Sequence, residues 1–246
     1  MQLTQKQIEE YNENGFLLIR NFISRDEVAK IAKHVYAVVK NPTEPIESEE
    51  EYHDIDDRDS FTLRRVRQVF DRDETIAAWM QDARIRPILR TLLGETPVLT
   101  LAHHNSIMTK MPSQISNTCW HQDRRYWNFA DDNLLSVWLA LEEEYLENGL
   151  LEFIPGSHKL DFSPERFDAK ICFREDLPQN RALIEKRVHY ELHPGDIVLF
   201  HCKTLHAASN NKTDGAKTAL VYTVKGIRTK PIPGTRSASR PEIVLS

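Results

Sequence analysis

The spacing of apolar residues follows a helical period in the first third of the chain and a strand-like period afterwards. Thr4 followed by Gln7 reads as a capping box that opens a short helix to about Asn12. The run Gly15-Phe16-Leu17-Leu18-Ile19-Arg20 reads as a buried strand. Ser24 can then cap a second helix, in which Val28, Ile31, Ala32, Val35, Val38 and Val39 recur on one face. Neither period survives from Asn41 to Ser60. With Pro42 and Pro45 among acidic residues, that stretch is expected to be a mobile loop, either a lid or a solvated connection. Helical spacing returns from Asp73 to Leu93 (Ile76, Trp79, Met80, Ile85, Ile88, Leu89, Leu92), and Gly94 and Pro97 end it. Beyond that point lie short β-prone runs separated by turn residues: Val98 to Met108, Leu134 to Leu141, Leu150 to Ile154, Val188 to Leu192, Ile197 to His201 and Lys217 to Val224. The expected architecture is mainly β with flanking helices, a barrel or sandwich spanning 1–246 as one domain. Residues 1–97 would form a largely helical part packed on a core of 98–228, followed by a tail of 229–246.

Composition narrows the class. Hydrophobic residues make up 40% and charged residues 28% of 246, a globular balance that excludes disordered, collagenous and membrane chains. Lys plus Arg is 32 and Asp plus Glu is 37, a net charge of -5 with no strongly basic half, which argues against nucleic acid as a partner. No apolar run approaches the ~18 residues of a membrane span, and the N-terminus has neither a signal core nor a transit pattern. The three cysteines, Cys119, Cys172 and Cys202, include no CxxC pair. Neither a disulfide framework nor a thiolate zinc site is therefore expected, and a reducing cytoplasm fits best. The eight glycines are few for a β-rich chain, whereas histidines number ten.

The candidate chemistry lies in Cys119-Trp120-His121-Gln122-Asp123. Two residues apart in an extended chain, His121 and Asp123 leave the same face and can converge on one metal ion. A later segment, His193-Pro194-Gly195-Asp196 running through Ile197-Val198-Leu199-Phe200-His201 to Leu205-His206, can bring a second imidazole from a distant strand. Two imidazoles and a carboxylate on one face of an octahedral ion leave positions open, as in non-heme Fe(II) oxygenases, while catalytic zinc remains open on ligand identity alone.

Three strings then carry a resemblance: Trp120-His121-Gln122-Asp123; Asn148-Gly149-Leu150-Leu151-Glu152-Phe153-Ile154-Pro155-Gly156-Ser157-His158-Lys159; and Gly195-Asp196-Ile197-Val198-Leu199-Phe200-His201 leading to Leu205-His206. In order and spacing they resemble the phytanoyl-CoA dioxygenase family, and the opening Tyr11 to Phe22 stretch is also similar. The resemblance implies a double-stranded β-helix (a jelly-roll, cupin-like core), Fe(II), the co-substrate 2-oxoglutarate, and O₂. It matches His121, Asp123 and His206 to the family's metal-binding positions, with His201 as the competitor for the last. His158 is expected to be structural. His103 and His104 point to opposite faces of a strand, so one of them, taken as His104, can reach a substrate cavity.

The family usually places an arginine for the co-substrate's far carboxylate eleven residues after the last metal histidine; here that position holds Lys217, which keeps the charge without the bidentate fork. The small hydroxyl residue common two places after the histidine is Ala208, with Ser209 following. Arg67, Gln122 and Trp138 match other co-substrate contacts approximately. Arg125, and less so Tyr126, directly after the metal motif, are candidates for an anionic or polar substrate. The expected activity is hydroxylation of a C–H bond in a small charged metabolite. The alternatives are a cupin-like binding protein that no longer turns over 2-oxoglutarate and a metal-dependent hydrolase or isomerase.

Overall fold

A computed structural model describes residues 1–57, 60–113 and 115–246. In chain order its helices and strands are α1 (Gln5–Asn14), β1 (Phe16–Ile19), α2 (Arg25–Lys40), β2 (Ile46–Ser48), α3 (Glu49–His53), β3 (Leu63–Arg67), α4 (Glu74–Met80), α5 (Arg86–Leu93), β4 (Pro97–Lys110), β5 (Thr118–His121), β6 (Leu134–Ala140), β7 (Leu151–Phe153), α6 (Pro178–Ile184), β8 (Val188–His189), β9 (Ile197–His201), β10 (His206–Ala208), β11 (Lys217–Gly226) and β12 (Glu242–Val244).

The strands form two antiparallel sheets. The larger runs β1-β9-β6-β11-β4-β3-β2, with β12 added on β4, and the smaller runs β5-β10-β7-β8. Strand alternation explains why the apolar runs of the large sheet are nearly continuous: both of its faces are covered. On β9 and β6, Ile197, Leu199, Leu135, Val137 and Leu139 pack against Val28, Ile31, Val35, Ile76, Trp79 and Ile88 of the helical layer. The intervening Val198, Phe200, Trp138 and Ala140 face the small sheet and meet Leu151, Phe153 and Ala208. A third cluster, Trp120, Ile154, Phe167, Phe173, Ile184, Leu205 and Ala207, covers the outer face of the small sheet. This is the jelly-roll arrangement that the family resemblance implied.

Local signals behave as their chemistry requires. Thr4 with Gln7 and Ser24 with Glu27 both form reciprocal capping boxes. At Gly15 the chain turns at φ 84°, and a Cβ there would lie 2.4 Å from His158 Nδ1, so only glycine fits between the N-terminal helix and the Pro-Gly-Ser-His turn. Asp196 of the Pro-Gly-Asp turn is fully buried, accepts from the backbone N–H groups of Asn21 and His193, and pairs with Arg20 at 2.7 Å. That motif ties β9 to the end of β1 and has a structural role.

Four expectations are corrected. The Asp73–Leu93 helix is two helices, because Pro87 lacks an N–H and belongs in a first turn, where α5 restarts. The acidic 41–60 stretch is ordered in its middle as β2 and α3, with Glu47, Ser48, Glu49 and Glu50 buried; its residues 58 and 59 lie outside the described part. Arginines of β3 supply the partners that make this burial tolerable: Arg64 reaches Glu49 at 2.7 Å and Glu47 at 3.2 Å. Beyond the expected β1, the N-terminal third adds β2 and β3 to the large sheet, and the tail adds β12. Finally, Cys119 and Cys172 are disulfide-bonded, their Cα atoms 5.7 Å apart, because the backbone N–H of Phe173 donates to Trp120 O and holds the 162–173 cover against β5.

Candidate metal centre and its cavity

The small sheet positions the donors. His206 on β10 pairs directly with His121 on β5, and their rings stand 4.2 Å apart, centre to centre. Asp123 follows β5 at the start of a 3₁₀ turn, Asp123–Tyr126, rather than within the strand. Its carboxylate still swings to the same point: Oδ1 lies 3.7 Å from His121 Nε2 and 3.9 Å from His206 Nε2. One ligand atom from each of His121, Asp123 and His206 falls within 4.8 Å of the others.

The surroundings fix which atoms are free to coordinate. His121 Nδ1 donates to Cys119 O at 2.8 Å and His206 Nδ1 donates to Thr204 O at 3.0 Å, which leaves both Nε2 lone pairs aimed at the common point. Burial pushes the His121 imidazole down to about 3, with the neighbouring His206 helping and Asp123 opposing. Burial also lowers His206, against the pull of Asp123. Both rings are therefore neutral, the form that binds metal. For Asp123, burial works to raise the carboxyl, but its neighbours, led by His104, which also hydrogen-bonds to it, hold it far below the usual range, so it is ionised. Ser136 Oγ donates to Asp123 Oδ2 at 3.1 Å and His104 Nε2 donates to Oδ1 at 3.0 Å, which fixes the carboxylate's orientation.

The trio opens on a cavity of two chambers. The inner, about 50 Å³, is lined by His121, His206, Trp138, Ala208, Lys217 and Lys110 among others. The outer, about 360 Å³, is lined by His104, His121, Asp123, Arg65, Arg67, Arg236, Tyr126 and neighbours. Lys217 stands at the inner end as the resemblance implied, but it is not bare: its Nζ donates to Glu144 Oε2 at 3.0 Å and to Gly149 O at 2.8 Å. Glu144 in turn accepts from Trp138 Nε1 at 2.8 Å. Arg67 lines the outer chamber and is bonded to Glu47.

Two sequence expectations do not meet the cavity. Gln122 turns away, with its Nε2 donating to Lys203 O and its Oε1 accepting from Arg125 Nε. Arg125 lies with it, stacked 3.5 Å over the Phe167 ring and donating to Phe162 O. The cause is the 3₁₀ turn at Asp123, which cancels the alternation that would have put Arg125 on the side of Asp123. Tyr126 does reach the mouth, its ring 6.0 Å from that of His121 and its hydroxyl donating to Lys170 O. His201 is not a donor at the site; its ring lies 5.5 Å from that of His158, tilted against it. Sequence reasoning passed over Arg65, Ser136 and Glu144. Arg65 was within reach, being two residues before Arg67 on one strand. Glu144 was hidden in an acidic run that reads as solvated.

A jelly roll whose smaller sheet gathers two neutral imidazoles and an ionised carboxylate beside an open, partly cationic cavity defines the class of non-heme metal oxygenases. Residues 11–219 match the family described as Phytanoyl-CoA dioxygenase (PhyH), and the chain belongs to that family, whose members are Fe(II)/2-oxoglutarate-dependent oxygenases. It is 25% identical to a probable phytanoyl-CoA dioxygenase of Caenorhabditis elegans, over 89% of this chain and 74% of that protein. It is 27% identical to an ectoine dioxygenase of Stutzerimonas stutzeri, over 87% of this chain and 74% of that protein. Among solved structures, EctD from S. alaskensis with 2-oxoglutarate and 5-hydroxyectoine superposes with a TM-score of 0.79 at 22% identity, covering 97% of this chain and 82% of that one.

Proposed function

We propose that this protein is a dioxygenase that couples oxidative decarboxylation of 2-oxoglutarate to hydroxylation of a C–H bond in a small-molecule metabolite, with His121, Asp123 and His206 holding Fe(II). The observation that carries this reading is the convergence of two Nε2 lone pairs and Asp123 Oδ1 on one point, with every other polar atom of the three side chains already bonded to protein. Bound iron would supply oxygen activation when chelated by 2-oxoglutarate. The chain's own residues do the rest. Ser136 and His104 keep Asp123 turned toward the metal. Lys217 offers the co-substrate's far carboxylate a cation at the inner end, shared with Glu144, while Trp138 walls that end. Tyr126 borders the mouth through which substrate enters. The intact donor set does not favour the binding-protein alternative.

Among the described residues no helix is long and apolar enough to cross a membrane. We place the enzyme in the cytoplasm, a compartment in which the Cys119–Cys172 bond would be exceptional.

The test is an anaerobic titration with Fe(II) and 2-oxoglutarate, followed by the visible charge-transfer band and then by succinate release on admitting air. Both should appear in the wild type. Asp123→Asn should lose the band, and Lys217→Ala should weaken 2-oxoglutarate binding severely while Lys217→Arg preserves it. Absence of band and succinate in the wild type would rule the reading out.

A further inference from the structure

The outer chamber carries more positive charge than its own carboxylates answer. Arg65 and Arg67 leave the same face of β3 and line it with Arg64, Arg236 and Lys170, against Glu47, Asp54 and Asp123. Each carboxylate is already engaged. Asp54 pairs with Lys170 at 2.6 Å, and Asp123 belongs to the metal trio. Glu47 is divided among three guanidiniums: Arg64 at 3.2 Å, Arg65 at 3.8 Å, and Arg67 in tight contact. At 3.8 Å Arg65 has an ion contact but no hydrogen bond, and its Nε is buried without a hydrogen-bond partner. Arg236 enters from the 3₁₀ turn Arg236–Ala238, gives one donor to Ala102 O at 3.2 Å, and has no carboxylate at ion-pair distance among the described residues.

The contrast with the inner end is informative. There, Lys217 is neutralised by a dedicated glutamate. Lys217 thus reaches the cavity with its own counter-charge, whereas Arg65 shares one with two other guanidiniums and Arg236 lacks one among the described residues. At Arg65 burial is the main influence lowering the pKa; Arg64 and Arg67 act the same way, while Glu47 and Asp123 oppose them. Arg236, exposed at the rim, is lowered by partial desolvation and by Arg67, with Glu47 opposing. A guanidinium does not release its proton to escape such surroundings. A bound anion would stabilise both charges, and the planar fork suits a carboxylate or phosphate group.

We propose that the substrate of this enzyme carries an oxyanion, a carboxylate or a phosphate, that docks between Arg65 and Arg236 in the outer chamber and so presents its reacting carbon to the His121–Asp123–His206 site. This rests on the dioxygenase reading above and replaces Arg125 as the substrate's anchor.

The test uses protein loaded with Zn(II), which does not turn over, and saturated with 2-oxoglutarate, titrated calorimetrically with inorganic phosphate and separately with butyrate. One of the two anions should bind, and the tighter identifies the head group. Arg65→Gln and Arg236→Gln should each weaken that binding by about tenfold or more. Arg65→Lys, which keeps the charge and guards against misfolding, should retain most of it. Arg125→Gln should leave it within about twofold, its guanidinium lying outside both chambers. The proposal is overturned if neither anion binds, if the Arg65 and Arg236 variants bind as tightly as wild type, or if binding occurs only without 2-oxoglutarate, which would assign the arginines to the co-substrate. Failure of Zn(II) or 2-oxoglutarate to bind would count against the dioxygenase reading alone. The phosphate titration of metal-free protein would then still decide whether Arg65 and Arg236 form an anion site.

Discussion

The two sheets of this molecule divide the work unequally. The large sheet is built from strands such as β4 and β11, of 14 and 10 residues, buried on both faces and backed by the helical layer. The small sheet has strands of two to four residues, yet it carries both histidine ligands, with Asp123 just beyond its β5. Strands that short do not hold their own geometry. His121 and His206 are kept in place from outside, by the interior face of the large sheet on one side and the aromatic cover around Phe167 and Phe173 on the other. Stability is thus concentrated in one sheet and chemistry in the other.

The sharpest way to break that division is Glu144→Gln, because buried Glu144 holds Lys217, which belongs to the large sheet but ends in the cavity. Glu144 is fully buried, and its carboxylate is the counter-charge of an equally buried lysine. Removing one partner of such a pair costs about 3–5 kcal/mol, a fall in Tm of roughly 6–20 °C for a chain of this size. A dianionic co-substrate can then take the place of the lost carboxylate. Thermal scans should show 2-oxoglutarate raising the variant's Tm by more than it raises the wild type's. Equal increments would mean that the co-substrate's carboxylate does not rest on Lys217, and that the large sheet contributes only a wall.

How much of this was legible follows the same division. In the large sheet, Ile197 to Phe200 and Leu134 to Ala140 announce themselves because alternation with both faces covered gives long apolar runs. The two capping boxes fix their helix starts from four residues each. In the small sheet, β5 and β10 are too short to show a period, and only the His-x-Asp motif and the resemblance located them. Charge pairing across the chain was invisible. The acidic residues 47–50 look solvated until Arg64, Arg65 and Arg67 are seen opposite them, and Lys217 looks available until Glu144 is seen beside it. Arg125 was misplaced by one local event, the 3₁₀ turn that begins at Asp123.

A smaller effect tests the small sheet's dependence on its cover. The Cys119–Cys172 bond joins β5 to that cover across 53 residues of chain, and losing such a link costs about 2–4 kcal/mol. Cys172→Ser should release the cover more than it unfolds the large sheet. Limited proteolysis should cut within 160–175 first, and Mn(II) affinity should fall by severalfold, while the main thermal transition moves less than in Glu144→Gln. A variant with wild-type metal affinity and a broadly lowered Tm would show that the cover serves the whole fold and does not hold His121.

The smallest expected effect asks whether the large sheet also sets the response to acid. His103 on β4 and His201 at the end of β9 are pushed down to about 3 and about 4. Burial is the chief cause in both, aided by Arg236 and His104 for the first and by His158 for the second. In the folded protein these rings stay neutral while the unfolded chain takes up protons below about pH 6.5. The unfolded state then binds more protons, so stability rises with pH across this window and is lost on acidification. By pH 5 the loss is at most about 2 kcal/mol for each histidine, a few degrees of Tm. His201→Gln can still accept the Lys203 N–H that His201 Nδ1 accepts at 3.1 Å, so it removes the titration with little other disturbance. His121, pushed down to about 3 as well, contributes with the same sign in both proteins and cancels in the difference. Tm measured from pH 7.5 to 5 should therefore fall less steeply in His201→Gln than in the wild type. Parallel curves would place the acid sensitivity outside β9 and weaken the claim that the large sheet governs stability alone.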